Sequence, residues 1–188
     1  DFWTRDTQLN FKDNHTILFV GNDGNRDVEL LKQIAFNMKD FEFTVVSKLP
    51  QFKNVNLENV TVLNGSWGDT NIDDIKLREI YNKAFLVIIP LKESSQPSGQ
   101  SVALQAMSMG VPVLVSQTQG LWDKKHLINE ENIFLIQPNI LSEWIRKINV
   151  LKDNKTLLNS VSQNGEKTVR TYFNLSKFQN QLDQYIGE

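Results

Sequence analysis

Ser98-Gly99-Gln100-Ser101 carries the most chemistry in this sequence. Two hydroxyls, a glycine and a carboxamide stand directly before a segment with helical spacing, and that segment ends at Met109-Gly110. A helix start exposes amides that lack partners within the helix and carries the positive end of the dipole, so such a loop cradles phosphate. Ser98 and Ser101 could equally cap that helix, while Gly99 allows close backbone approach. Gln105 lies one turn beyond Ser101 on the same face and could bond sugar hydroxyls. Arg26 stands at another helix start, where a cation opposes the dipole. It needs a compensating anion, either a diphosphate or a neighbouring carboxylate of Asp23, Asp27 or Glu29. Asn64-Gly65-Ser66-Trp67 offers backbone groups and an aromatic face for a nucleobase. Together these residues point to a nucleotide or nucleotide-sugar site.

Other chemistries fall away. The chain has no cysteine, and His15 and His126 have no metal-ligand spacing, so no metal site is expected. No Ser/His/Asp arrangement for nucleophilic catalysis is visible. Gly21-Asn22-Asp23-Gly24 lacks the Gly-x-Gly-x-x-Gly fingerprint, and no acidic residue ends the second strand, which argues against a nicotinamide-dependent dehydrogenase. A formal net charge of −2 leaves no electrostatic footprint for nucleic acid. No apolar run approaches the ~20 residues of a membrane span, and no signal peptide is visible, so a cytoplasmic protein is expected.

The elements that must position these residues alternate. Thr16–Val20, Phe43–Val46, Val60–Leu63, Phe85–Ile89, Pro112–Ser116 and Ile133–Ile136 are continuous apolar runs, the pattern of strands buried on both faces. Helical spacing fills the intervals from Arg26 to about Met38, Asp73 to Lys83 and Ser98 to Met109, with a short helical piece from Leu121 to His126. After Pro138 the pattern is helical to the end. Its apolar stripes, including Trp144 and Phe178, are expected in the core. The fold class is therefore α/β, a doubly wound, parallel, six-stranded Rossmann-like sheet with a helical C-terminus and the order 3-2-1-4-5-6. In that order the loops after the first and fourth strands meet at the switch point, where such sheets bind ligands. The 188 residues suit one domain, 15–188, preceded by a polar lead-in, 1–14, read as an interdomain linker whose Phe2 and Trp3 pack back on the domain.

The block Ser98-Gly99-Gln100-Ser101-Val102-Ala103-Leu104-Gln105-Ala106-Met107-Ser108-Met109-Gly110-Val111-Pro112-Val113 resembles the hallmark of family-4 type (group 1) retaining glycosyltransferases of the GT-B fold. There a glycine-containing loop leads into a helix reading roughly Glu-Ala-Met-Ala-x-Gly-x-Pro-Val. Val20-Gly21, Asn64-Gly65, Ile75 to Ala84 before a strand ending at Pro90, Asn132-Ile133 and Tyr172-Phe173 extend the resemblance over most of the chain. Arg26 falls where the family usually has a phosphate-binding lysine.

The resemblance implies the donor-binding C-terminal half of a GT-B enzyme, with the N-terminal acceptor domain absent from this chain. It implies a nucleoside-diphosphate sugar as donor, UDP- or GDP-linked, with no separate cofactor and no metal. Gly21, Arg26, Ser98, Gly99, Gln100 and Ser101 would hold the diphosphate, Gln105 the ribose, and Asn64, Gly65, Ser66 and Trp67 the base. Transfer would proceed with retention, the leaving diphosphate being stabilised by helix dipole and cation. The family's two glutamates, eight residues apart, align with Pro97 and Gln105. Glu93 is the nearest carboxylate and the candidate catalytic residue, and Asn22 stands where an arginine is usual. Expected partners are the donor and the preceding Rossmann domain, through which peripheral membrane association could arise. The competing expectations are a catalytically silent GT-B-like binding or assembly domain, and half of a sugar-nucleotide epimerase.

Overall fold

The computed structural model describes residues 2–4, 15–65 and 71–186. Six strands, β1 (Thr16–Val20), β2 (Glu42–Val46), β3 (Val60–Leu63), β4 (Leu86–Ile89), β5 (Val113–Ser116) and β6 (Phe134–Ile136), form one sheet in the order β3-β2-β1-β4-β5-β6. Every adjacent pair is parallel. Parallel neighbours require crossovers. These carry α1 (Val28–Asn37), α2 (Asp74–Asn82) and α3 (Gln100–Ser108), and the chain closes with α4 (Leu141–Asp153), α5 (Lys155–Tyr172) and α6 (Leu175–Ile186). The expected order is the observed one.

The apolar runs become central strands because helices cover both faces. Ile17, Phe19, Leu86, Ile88 and Phe134 turn toward α1 and α4, where Ile34, Trp144 and Ile148 close one core. Leu18, Val87, Ile89, Val113 and Val115 turn to the other face, against Tyr81 of α2 and Ala103, Ala106 and Met107 of α3. Helix α5 lies close on α3: a Cβ on Gly165 would sit 2.9 Å from the Asn132 carbonyl and 3.6 Å from Met107. The Ser162 hydroxyl, also on α5, donates to the Gly110 carbonyl. Side-chain caps set several helix starts. Asp27 accepts from the Leu30 amide at 3.0 Å, Asp73 from Lys76 at 2.8 Å and Asn154 from Leu157 at 3.0 Å.

Two expectations about the helical parts need correction. The expected helical piece from Leu121 to His126 is a single turn at residues 124–126, in which the Asp123 carboxylate accepts the Lys125 and His126 amides at 3.0 and 2.9 Å and its carbonyl accepts the Leu127 amide at 3.2 Å, and the chain does not continue as a helix. The Phe178 stripe does not join the core, whereas Trp144 is fully buried. Leu175, Phe178, Leu182 and Ile186 share one face of α6 and stay exposed, Phe178 at 61%. The lead-in does pack back through Trp3, which meets Tyr81 edge-on at 5.9 Å and accepts from the Ser108 hydroxyl at 2.7 Å through its carbonyl.

Candidate functional site

The loops after β1 and β4 meet at the switch point and are laced together there. The Asp27 amide donates to the Pro90 carbonyl and the Lys92 amide to the Asn25 carbonyl, each at 2.9 Å. On the other side Asn22 donates to the Gly65 carbonyl at 3.0 Å and accepts from the Lys48 amide, fastening the ends of β1, β2 and β3. Between these loops opens a cavity of about 1060 Å³. Val20, Gly21 and Val46 line its base, Ile72, Asp73, Asp74 and Leu77 lie on the α2 side, and Pro97 to Val102 with Gln105 lie on the α3 side. The volume is at the upper end of the range for small-molecule sites.

Arg26 is the organising side chain. It is only 4% exposed, and its Nη1 donates to Ser98 Oγ at 2.8 Å. Its Nη2 stands 3.4 Å from Asp23, and the Ser98 hydroxyl donates to Asp23 at 3.0 Å. Nε is buried without a hydrogen-bond partner. Burial pulls the guanidinium pKa down and the Asp23 charge pushes it back up; an arginine under those forces stays cationic. Two glycines make the space. A Cβ on Gly21 would lie 2.2 Å from Arg26 Nε, and one on Gly99 would lie 3.2 Å from Nη1. Of the three carboxylates expected near Arg26, Asp23 pairs with it, Asp27 caps α1 and Glu29 pairs with Lys32.

At α3 the expected serine cap is absent. Gly99 takes the N-cap position at φ +84° with no side-chain cap bond, and the Ser98 hydroxyl is turned to Arg26 instead. The partner that wins Ser98 is a charged donor 72 residues away, stronger than a neutral amide and invisible to local pattern. The first turn of α3 therefore meets the cavity with uncapped amides at Gln100, Ser101 and Val102. Such a terminus favours an anion.

Gln105 also lines the cavity, half-buried, and its Oε1 accepts from the Tyr81 hydroxyl at 3.3 Å. Tyr81 is fully buried, and that burial raises its phenol pKa, against a smaller lowering by Arg26. Of the residues expected at a base, Gly65 lines the cavity while Asn64 is exposed and not part of the lining. Ser66 and Trp67 lie outside the described residues. Glu93 does not join the site. It is exposed, lies off the cavity lining, and accepts the Gln119 amide at 2.9 Å. The loop after β4 turns it toward the loop after β5, where the Gly120 amide also donates to the Ser94 carbonyl. Among the described residues, the carboxylates on the cavity are Asp23, Asp73 and Asp74. Sequence pattern named Asp23 only as a carboxylate partner for Arg26, and did not single out Asp73, Asp74 or Tyr81. His126 stacks on Tyr172 at 4.2 Å and bonds Asp123 at 2.8 Å, away from the cavity.

No curated protein matches the sequence. Solved structures share the fold at low identity. The C-terminal domain of a glycosyl transferase group 1 family protein (LpcC) from Francisella tularensis aligns over 93% of this chain and 97% of its own, with TM-score 0.69 and 16% identity. Sucrose-phosphate synthase from Thermosynechococcus elongatus aligns over 95% of this chain and 46% of its own, with TM-score 0.75 and 23% identity. Anabaena HepE, solved in complex with UDP-glucose, aligns over 99% and 54%, with TM-score 0.76 and 16% identity. The chain thus spans about half the length of the last two. A family model described as "Glycosyl transferases group 1" matches residues 14–154 of the 188, and on that match the chain belongs to the group 1 glycosyl transferases.

Proposed function

We propose that this chain is the donor-binding domain of a retaining, family-4 type glycosyltransferase, and that the cavity takes a nucleoside-diphosphate sugar. The observation that carries the reading is the uncapped start of α3 facing a cavity at the switch point, with the buried Arg26 guanidinium beside it. A diphosphate lying across Gly99, Gln100 and Ser101 meets aligned amides, the helix dipole and, through Ser98, a fixed cation. Gln105 then lies within reach of the ribose, and Gly65 borders the base. In the assembled enzyme the same groups would stabilise charge developing on the leaving diphosphate as the glycosyl group departs. A preceding Rossmann domain would supply the acceptor and close the cleft. The UDP-glucose bound by HepE makes a UDP-sugar the first donor to try.

A second reading, a catalytically silent binding domain, draws on the carboxylates. Asp23 is held by Arg26 and Ser98, Asp73 caps α2, Asp74 lies in the first turn of α2, and Glu93 lies outside the cavity. Binding separates both from a chain with no nucleotide site, and turnover by the full enzyme separates one from the other.

The test is isothermal titration with UDP, GDP and ADP, each against its nucleoside. The reading expects at least one diphosphate to bind and its nucleoside to bind at least tenfold more weakly, about 1.4 kcal/mol at 25 °C. Arg26→Met, which keeps a similar length but no charge, should weaken the diphosphate and leave the nucleoside unchanged. Equal affinity for diphosphate and nucleoside would refute the assignment.

A further inference from the structure

Gln105 is a carboxamide whose two edges differ: the oxygen only accepts and the nitrogen only donates. The oxygen edge is engaged by the Tyr81 hydroxyl at 3.3 Å. That hydroxyl has one proton, and its other neighbour is the Val102 carbonyl at 3.4 Å. Val102 lies inside α3, where its carbonyl is in register with the amide four residues on. The Gln105 oxygen is the nearer of the two acceptors and is not already in the helix ladder, which favours it for the phenol proton. Trp3, edge-on at 5.9 Å, helps hold the phenol ring, and full burial keeps it from rotating to solvent. Gln105 lines the cavity, and with its oxygen engaged the nitrogen edge is what remains for a ligand.

We infer that Tyr81 is a positioning residue that locks the Gln105 amide with its NH2 toward the cavity, making Gln105 a donor to the ligand. The inference rests on the nucleotide reading of the cavity and adds a polarity to it. The ribose oxygen above Gln105 must accept, and its own proton points elsewhere. A carboxylate at this position would impose the opposite direction, since it can only accept. Gln105 therefore selects for an acceptor at that point of the sugar, and Tyr81, which does not line the cavity, sets the choice.

The experiment titrates wild type with UDP, GDP and ADP, then with the 2′-deoxy, 3′-deoxy, 2′-fluoro and 3′-fluoro forms of whichever binds. Fluorine accepts weakly and cannot donate. At the hydroxyl over Gln105 the expected order of affinity is hydroxyl, then fluoro, then deoxy, the whole range about 2- to 13-fold, the worth of one ordinary hydrogen bond. A fluoro form binding no better than the deoxy form overturns the donor assignment in the unaltered protein. Tyr81→Phe should weaken the ribonucleotide about 3- to 10-fold and leave the deoxy form that lacks the contacted hydroxyl unchanged. Adding Tyr81→Phe to Gln105→Met should cost nothing further. Equal loss on ribo and deoxy forms, or undiminished loss beside Gln105→Met, means a merely structural phenol and overturns the positioning role. If wild type binds none of the three diphosphates, the nucleotide reading itself fails in the first titration and takes this inference with it.

Discussion

Gly99→Ala tests the construction of the site with a single carbon atom. Gly99 holds φ +84°, the left-handed region, where an L-residue with a Cβ is strained by about 1–2 kcal/mol. The added Cβ would also stand 2.8 Å from Ile89 Cγ2 and 3.2 Å from Arg26 Nη1. Ile89 is a fully buried strand residue that cannot swing away, so overpacking adds about 1–3 kcal/mol. The sum predicts a loss of about 2–5 kcal/mol, with the alanine pressing on the Arg26 guanidinium. Gly24→Ala is the control. Gly24 is in the neighbouring loop, its φ is not positive and nothing lies within 4 Å of its Cβ position, so the change should stay within about 0.5 kcal/mol. Urea unfolding at 25 °C reads both, with the slope of the transition showing whether the native or unfolded state changed in extent. Equal stabilities for the two variants would refute the reasoning that Gly99 is required by φ and by Ile89.

Three further outcomes follow from contacts in the structure. Ser98→Ala removes the acceptor for Arg26 Nη1 and a donor to Asp23, and should cost about 1.5–3 kcal/mol in urea unfolding, as expected for a hydrogen bond to a charged group; a loss under 0.5 kcal/mol would contradict the network. Gly165→Ala should destabilise despite alanine's advantage of about 1 kcal/mol within a helix, because its Cβ would meet the Asn132 carbonyl at 2.9 Å; a raised melting temperature would show that α5 can move away from the segment before β6. Asp123 titrates below the usual carboxylate range: burial alone would raise it, but hydrogen bonds from the His126 ring and amide, the His126 charge and the Lys125 amide outweigh that. Its contribution is therefore complete above its unfolded value near pH 4 and is lost as pH falls through the lower folded value, so Asp123→Asn should flatten the melting-temperature decline between about pH 5 and 2, and parallel curves would contradict it.

The sheet was legible because its evidence is local and repeated. Each strand is an apolar run, the crossovers leaving β1, β3 and β4 carry helical stripes, and parallel connections leave few topologies. The site was legible as a place, since the switch point follows from strand order. Its wiring was not. Ser98 looked like a helix cap because caps are defined by neighbours, whereas its partners are Arg26 and Asp23, more than 70 residues earlier. Gly21 and Gly99 read as room for a ligand, and the structure shows that they make room for the Arg26 side chain. Glu93 lies four residues before Pro97 in sequence, but the direction in which a loop turns is set by what it packs on, here the segment around Gln119 and Gly120. The Phe178 stripe had the correct period for a buried helix face, and periodicity says nothing about whether a covering surface is present.

The central claim, that the uncapped start of α3 receives a diphosphate, is tested most directly by amide-resolved NMR during titration with UDP and GDP. The account predicts that the largest shifts fall on the amides of Gly99, Gln100, Ser101 and Val102, with Gly21 and the Gln105 side-chain NH2 following. The amides around Gln119, on the far side of the β4 loop, should stay still. Binding that shifts other amides while leaving Gly99 to Val102 unmoved would contradict the claim.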